Sequence, residues 1–192
     1  MNRETVMYGA GMAEWQKEMT DRIGRQVQSL RGKNTALWLS ERTEKLGMKI
    51  SRSALSELEN GKRKSISLAE FLVLAAALDV SPIALLFPDY PDGEVEFLPG
   101  IKTSSFEASN WISGDQLLDN GLNDGEPQLY GFGFDVVKHS RERFNLLSKA
   151  LENMLMGQMS PSEDISNFLE ERKSELNHKI EKSGGTVKDG SR

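Results

Sequence analysis

Residues 46–62 read LGMKISRSALSELENGK, a pattern typical of a short helix set between two turns. Gly47 suits a position just past the end of one helix, and Ser51 is a favoured cap for the start of the next. That next helix is predicted over residues 52–60, and Gly61 ends it. Its first residues are small, polar or basic, and a basic loop follows it. A helix that inserts its N-terminal end into the major groove of DNA has this arrangement.

Hydrophobic residues repeat at helical spacing on both sides of this segment and predict four more helices. The first begins at Thr20, which is a good N-cap, and stops before Gly32. The second covers residues 34–46, the fourth covers 68–78 and the fifth covers 82–87. These five helices can enclose one core, which we expect to contain Ile23, Val27, Leu30, Leu39, Leu46, Leu55, Leu58, Leu72, Ala75, Leu78, Leu85 and Phe87.

The order of these helices, together with the motif Ser-Arg-Ser-x-Leu-Ser-x-Leu-Glu-Asn-Gly-Lys-Arg at 51–63, closely resembles the phage-repressor (Cro-like, XRE) helix-turn-helix family. The segments 68–80 and 81–87 resemble the last two helices of that family. The resemblance covers about 68 residues, from 20 to 87. One departure is the connector at 44–50, which is longer than the family's usual tight turn and is similar to that of actinobacterial members.

This resemblance implies a mainly α fold with a five-helix, lambda-repressor-like DNA-binding domain. Four residues of the third helix would face base edges, namely Arg52, Ser53, Ser56 and Glu57. Arg52 could bind guanine O6 and N7, and Glu57 could accept a hydrogen bond from a cytosine amino group. Phosphates would be contacted by residues at helix ends and in the basic loop, namely Thr35, Ser51, Asn60, Lys62, Arg63 and Lys64. Glu59 is expected to form a structural ion pair with Arg31.

Charge is distributed unevenly along the chain, whose net charge is −5. Residues 21–87 hold 11 Lys and Arg against 7 Asp and Glu, whereas residues 88–135 hold 1 against 10. Because phosphate binding is a local electrostatic matter, the basic first segment favours double-stranded DNA as the partner. Two ordinary explanations stay open, since the loop at 62–64 could be merely solvated and Glu57 could be a solvent-facing residue that repels phosphate.

Outside the helical segment, two stretches lack a steady helical period. Residues 1–19 are predicted to form a flexible N-terminal arm. Residues 88–134 are rich in Pro, Gly, Asp and Asn and are predicted to form an irregular acidic connector. Short runs at Val95–Leu98 and Leu129–Phe134 are candidate strands within it.

Helical periodicity returns over 135–183, which we predict to be a C-terminal helical hairpin before a disordered tail at 184–192. Ser160 and Glu163 have the spacing of a capping box for its second helix, as Ser67 and Glu70 have for the fourth helix of the first domain. Apolar residues at heptad spacing form a seam on the first helix of the hairpin: Val137, Phe144, Leu147, Leu151 and Met154. The seam could be internal packing, but it has few neighbours to pack on, so we expect a homodimer.

Other classes of protein fit the sequence poorly. The absence of cysteine and the isolation of His139 and His178 argue against disulfides and metal sites, and no cofactor is expected. No apolar run could span a bilayer, and the start of the chain lacks the features of a signal peptide, so a cytoplasmic location without membrane contact is expected. An enzyme is not expected. The leading hypothesis is a sequence-specific transcriptional regulator, a repressor of phage or host origin, and the alternative is an antitoxin or another interaction module that binds a partner protein through its C-terminal helices.

Overall fold

The computed structural model describes residues 3–117, 133–158 and 162–188, with side chains described from residue 13 onward. The fold is mainly α, as the sequence predicts. Its helices are α1 Arg3–Arg31, α2 Ala36–Lys45, α3 Arg52–Glu59, α4 Leu68–Leu78, α5 Pro82–Leu86, α6 Ser105–Ser113, α7 Phe134–Leu155 and α8 Glu163–Lys182. Two antiparallel strands, β1 Glu94–Leu98 and β2 Ile101–Ser104, form a hairpin. The chain divides into two compact units, Met1–Ser109 and Asn110–Arg192.

The first unit is organised around one apolar core to which helices α1 to α5 contribute. Eight of the predicted core residues are buried: Ile23, Val27, Leu39, Leu55, Leu58, Ala75, Leu85 and Phe87. Leu78 is partly buried against the same core, and the other three are wrong, since Leu30, Leu46 and Leu72 are 42%, 52% and 47% exposed. In α4 the buried positions are Phe71, Leu74, Ala75 and Ala77, so the large apolar side chains that turn inward are Phe71 and Leu74. Because nearly every residue of that helix is apolar, periodicity could not indicate which face turns inward.

Helix α1 begins much earlier than the sequence predicts. Thr20 is fully buried inside the helix, and its hydroxyl donates to the carbonyl oxygen of Gln16 at 2.8 Å. A threonine hydroxyl can be satisfied by the preceding turn of its own helix as well as by a cap, so residue type alone does not distinguish the two roles. Residues 3–19 are therefore the first part of α1, and the predicted N-terminal arm is wrong.

Helices α1 and α3 approach each other closely at Gly24. A Cβ atom at this position would lie 2.2 Å from the carbonyl oxygen of Leu58, which is far inside van der Waals contact. Glycine allows the backbones of the two helices to meet here, because it carries no side chain. The contact fixes the position of α3 relative to α1, and the sequence pattern did not predict it.

The region after α5 is more regular than predicted. Strand β1 confirms the candidate strand at Val95–Leu98, but β2 and α6 follow where the irregular connector was expected. A Ser-x-x-Glu signal for α6 is present, since the Ser104 hydroxyl accepts from the backbone N–H of Glu107 at 3.2 Å. The second candidate strand lies outside the described residues except at its last two positions, where α7 begins at Phe134.

The second unit contains the predicted pair of C-terminal helices, α7 and α8. They pack on each other around Ala150, Leu176 and Ile180. The predicted capping box is wrong, because the cap of α8 is Ser162, whose hydroxyl accepts from the backbone N–H of Ile165 at 3.2 Å. Ser160 and the last four residues of the predicted tail lie outside the described residues. None of the described helices is long and apolar enough to cross a membrane.

Candidate nucleic-acid interface

Helix α3 presents one face to the core and the opposite face to solvent. Leu55 and Leu58 are almost completely buried. The four residues predicted to face bases, namely Arg52, Ser53, Ser56 and Glu57, are all exposed. Among the described residues, the Arg52 guanidinium makes no hydrogen bond or ion pair. Because a side chain without an internal partner need not break a contact to reach a ligand, Arg52 is available for a base edge.

The two helices of the helix-turn-helix, α2 and α3, each begin at a capping hydroxyl. The Thr35 hydroxyl accepts from the backbone N–H of Trp38 at 3.1 Å, and the Ser51 hydroxyl accepts from that of Ala54 at 3.2 Å. Both capping residues are exposed. The N-terminal end of a helix carries partial positive charge and free N–H groups, which favour a phosphate. The geometry is thus compatible with the phosphate contacts predicted for Thr35 and Ser51.

The long connector between α2 and α3 is held in place by one buried hydroxyl. Thr43, in the last turn of α2, accepts from the backbone N–H of Ile50 at 3.0 Å and donates to the carbonyl oxygen of Ser40 at 2.8 Å. Ile50 itself is only 4% exposed and joins the core. The connector therefore has a fixed path despite its length, and this path orients α3 relative to α2.

The predicted ion pair between Arg31 and Glu59 is present. The Arg31 guanidinium donates from Nε and Nη2 to the two carboxylate oxygens of Glu59 at 2.7 and 2.8 Å. The two side chains are only 14% and 5% exposed. The hydrogen bonds from this pair raise the pKa of Arg31 above its ordinary value. Such a two-point contact ties the end of α3 to the end of α1.

The basic loop at 62–64 has two kinds of cation. Lys62 and Lys64 are exposed, and neither ammonium group has a partner among the described residues. Arg63 instead points back to α4, where it donates to the two carboxylate oxygens of Glu70 at 2.7 and 3.0 Å. Glu70 also completes the predicted capping box with Ser67. The two lysines are therefore the cations of this loop without a partner in the described part of the chain, and a phosphate contact by Arg63 would compete with its ion pair to Glu70.

Asn60, the remaining predicted phosphate contact, is exposed. Its amide donates to the Ser56 carbonyl oxygen at 2.7 Å.

The Arg63–Glu70 pair should make the stability of the chain depend on pH in acid. Hydrogen bonds, first from Arg63 and then from Ser67, lower the pKa of Glu70 from 4.5 to about 2. Since the folded-state pKa is depressed, the stabilisation is present above pH 4.5 and is lost as the pH falls toward 2. After allowance for solvent screening, we expect Glu70→Gln to lower the free energy of unfolding by about 1–2 kcal/mol at pH 7.

Urea unfolding of the full chain, followed by circular dichroism at pH 7 and near pH 2.5, measures this effect. Glutamine at position 70 can still cap α4, so the variant removes the charge and leaves the helix signal largely in place. The difference between the two proteins should shrink as the pH approaches 2. An equal difference at both pH values would show that the ionised carboxylate contributes nothing to stability.

The helix-turn-helix family model matches residues 44–85, which run from the end of α2 through most of α5. Comparison with curated proteins gave no match, and comparison with solved structures gave none either. The match and the arrangement of α1 to α5 agree with the resemblance stated for the sequence. The chain therefore carries a helix-turn-helix domain of the Cro/XRE type, which is a double-stranded-DNA-binding domain of transcription regulators.

Proposed function

We propose that the chain is a sequence-specific transcriptional regulator that acts as a repressor, with α3 as its recognition helix. The observation that carries the proposal is the Arg52 guanidinium in the first turn of α3, next to the Ser51 cap, which is exposed and has no partner in the part of the chain that the structure describes. A long side chain at this place can reach a base edge once the helix start enters the major groove. Ser53, Ser56 and Glu57, on the same exposed face, complete the set that would read bases.

The residues around α3 would set its register on the duplex. Thr35 and Ser51 offer hydroxyls and capped helix starts, while Asn60 and the loop lysines lie at the other end of the helix. Contacts of this kind position a protein on the DNA backbone without reading sequence. Tight binding to a site that overlaps a promoter would be sufficient for repression, because the bound protein excludes the polymerase.

The chain would bind its operator as a homodimer. One recognition helix reads too few base pairs to find a single site among the many competing sites of a genome. Helix-turn-helix proteins commonly solve this by placing two recognition helices on half-sites one helical turn apart. In α7 the middle of the predicted seam is exposed, with Phe144 70%, Leu147 41% and Leu151 59% accessible. Met154 and Val137 are half-buried, and Val137 lies beside Gly114 at the end of α6.

Binding-site selection on the purified full chain would identify the operator, after which Arg52→Ala tests the assignment of α3. We expect this variant to lose about 1–3 kcal/mol of discrimination at one base pair in each half-site, because a bidentate arginine–guanine contact is lost. Binding to random DNA should change little. The measurement is competition binding against operators varied at each position.

Lys62→Ala is the matched control, since it removes one cation from the loop just beyond the same helix. It should weaken binding to operator and random DNA alike and reduce the slope of log affinity against log salt by about 0.9. If Arg52→Ala weakens binding uniformly and leaves the base preference unchanged, Arg52 contacts a phosphate and does not read sequence.

A further inference from the structure

Lys17 of α1 contacts the backbone at Gly61, immediately before the basic loop of residues 62–64. Its ammonium group donates to the carbonyl oxygen of Gly61 at 2.8 Å. It also donates to both carboxylate oxygens of Asp21, one turn further along α1, at 2.6 and 2.5 Å. The Lys17 and Asp21 side chains are 36% and 25% exposed. The Lys17 ammonium group thus links α1 to Gly61, the residue between the end of α3 and the basic loop.

The far end of the same loop also lies in contact with α1. The Thr20 hydroxyl, which is fully buried, lies 3.4 Å from the carbonyl oxygen of Lys64 as well as 2.8 Å from that of Gln16. Gly61 has a φ of +66°, and a Cβ there would lie 3.3 Å from Asp21 Oδ1. The backbone of the loop therefore lies directly against the middle of α1, where Lys17 belongs to the predicted arm and Thr20 and Asp21 to the predicted first helix.

We propose that Lys17, together with Asp21 and Thr20, is a brace that positions the Lys62 and Lys64 side chains for DNA phosphates. The proposal rests on the proposed function. A loop that is already ordered loses less conformational freedom when it binds, so the brace raises affinity without touching DNA. Lys17 is a positioning residue here, because Asp21 neutralises its charge and Gly61 occupies a further donor.

A double-mutant cycle on the full chain separates the brace from a direct phosphate contact. Lys17→Met removes the ammonium group and keeps an unbranched apolar stem. We expect it to weaken DNA binding about three- to tenfold in the wild-type background, and less than about twofold when Lys62 and Lys64 are already alanine. The salt slope should stay unchanged in Lys17→Met, whereas the loss of a phosphate contact would lower it by about 0.9.

Asp21→Asn provides the control for charge. This change makes the protein more positive and removes the carboxylate that neutralises Lys17, so a lysine that binds phosphate directly would then bind DNA more tightly. The brace predicts weaker binding instead. Equal losses from Lys17→Met in both backgrounds, a lower salt slope, or tighter binding by Asp21→Asn would each overturn the proposal.

Hydrogen exchange of the DNA-free protein tests the brace independently of DNA binding. In Lys17→Met, and in the milder Lys17→Gln, the backbone amides of residues 61–64 should exchange faster, while those of α3 keep their wild-type protection. Unchanged exchange in the loop would overturn the brace even where the wild-type chain binds DNA. If the wild-type chain failed to bind duplex DNA, the proposed function would fail, and faster exchange would still support the structural role of Lys17.

Discussion

Gly24→Ala should destabilise the helix-turn-helix domain strongly, although alanine is normally the better residue inside a helix. At an exposed helical site the same change would stabilise the fold by about 1 kcal/mol. Here the new Cβ would lie 2.2 Å from the Leu58 carbonyl oxygen and 2.9 Å from its carbonyl carbon. Both are backbone atoms, so no side-chain rotation can relieve the overlap, and α3 must move away from α1. Overpacking of this kind typically costs about 1–3 kcal/mol and occasionally more.

The movement would also break features that depend on the same contact. Leu55 and Leu58 would lose part of their burial, and Glu59 would be pulled from Arg31. We therefore expect a net loss of about 2–3 kcal/mol in the free energy of unfolding, and a melting temperature lower by roughly 10 °C or more. Thermal melting of the full chain by circular dichroism measures the loss, and operator affinity should fall with it because α3 is displaced.

Ser29→Ala is the matched control, since Ser29 is an exposed residue of the same helix. Alanine is the better helix former at that position and meets no neighbouring backbone, so the variant should melt at or slightly above the wild-type temperature. A Gly24→Ala protein that melts as high as Ser29→Ala would contradict the close approach of α1 and α3.

The elements that the sequence predicts well are those with local signals. Ser51 and Ser67 mark their helix starts because a hydroxyl before an apolar run satisfies free N–H groups. Leu55 and Leu58 mark the buried edge of α3, since the other side of that short helix is polar. The resemblance to the phage-repressor family, and not periodicity, implied the base-facing residues Arg52, Ser53, Ser56 and Glu57, and all of them lie on the exposed polar side of that helix.

What the sequence misses depends on contacts between residues far apart in the chain. Gly24 meets Leu58, and Lys17 meets Gly61 across 44 positions, so neither contact leaves a local pattern. In the sequence Arg63 is as good a candidate phosphate contact as its two lysine neighbours. Only the structure shows that its guanidinium is paired with Glu70. The wrong prediction for Leu72 has a different cause. Nearly every residue of α4 is apolar, so the local pattern is compatible with more than one buried face.

Phe144→Asp should split the proposed homodimer. In the single chain Phe144 is 70% exposed, and Leu147 and Leu151 lie beside it on the same helix. If this seam is the dimer interface, the variant would bury a carboxylate without a partner, which costs several kcal/mol. The dimer dissociation constant should therefore rise by at least about 100-fold. Light scattering and sedimentation at micromolar concentration would show a monomer, while circular dichroism of the full chain would show the wild-type helix content.

Phe168→Asp is the matched control, because Phe168 is an equally large residue, 60% exposed, on α8 instead of α7. It lines a groove with Leu146 and Ile165 and lies outside the predicted seam. A dimer that survives Phe168→Asp and dissociates in Phe144→Asp places the interface on the seam. The reverse result would move the interface to the groove. A monomeric wild-type chain would overturn the homodimer proposal. A small protein that copurifies with that monomer would then favour the antitoxin alternative, in which another chain covers α7.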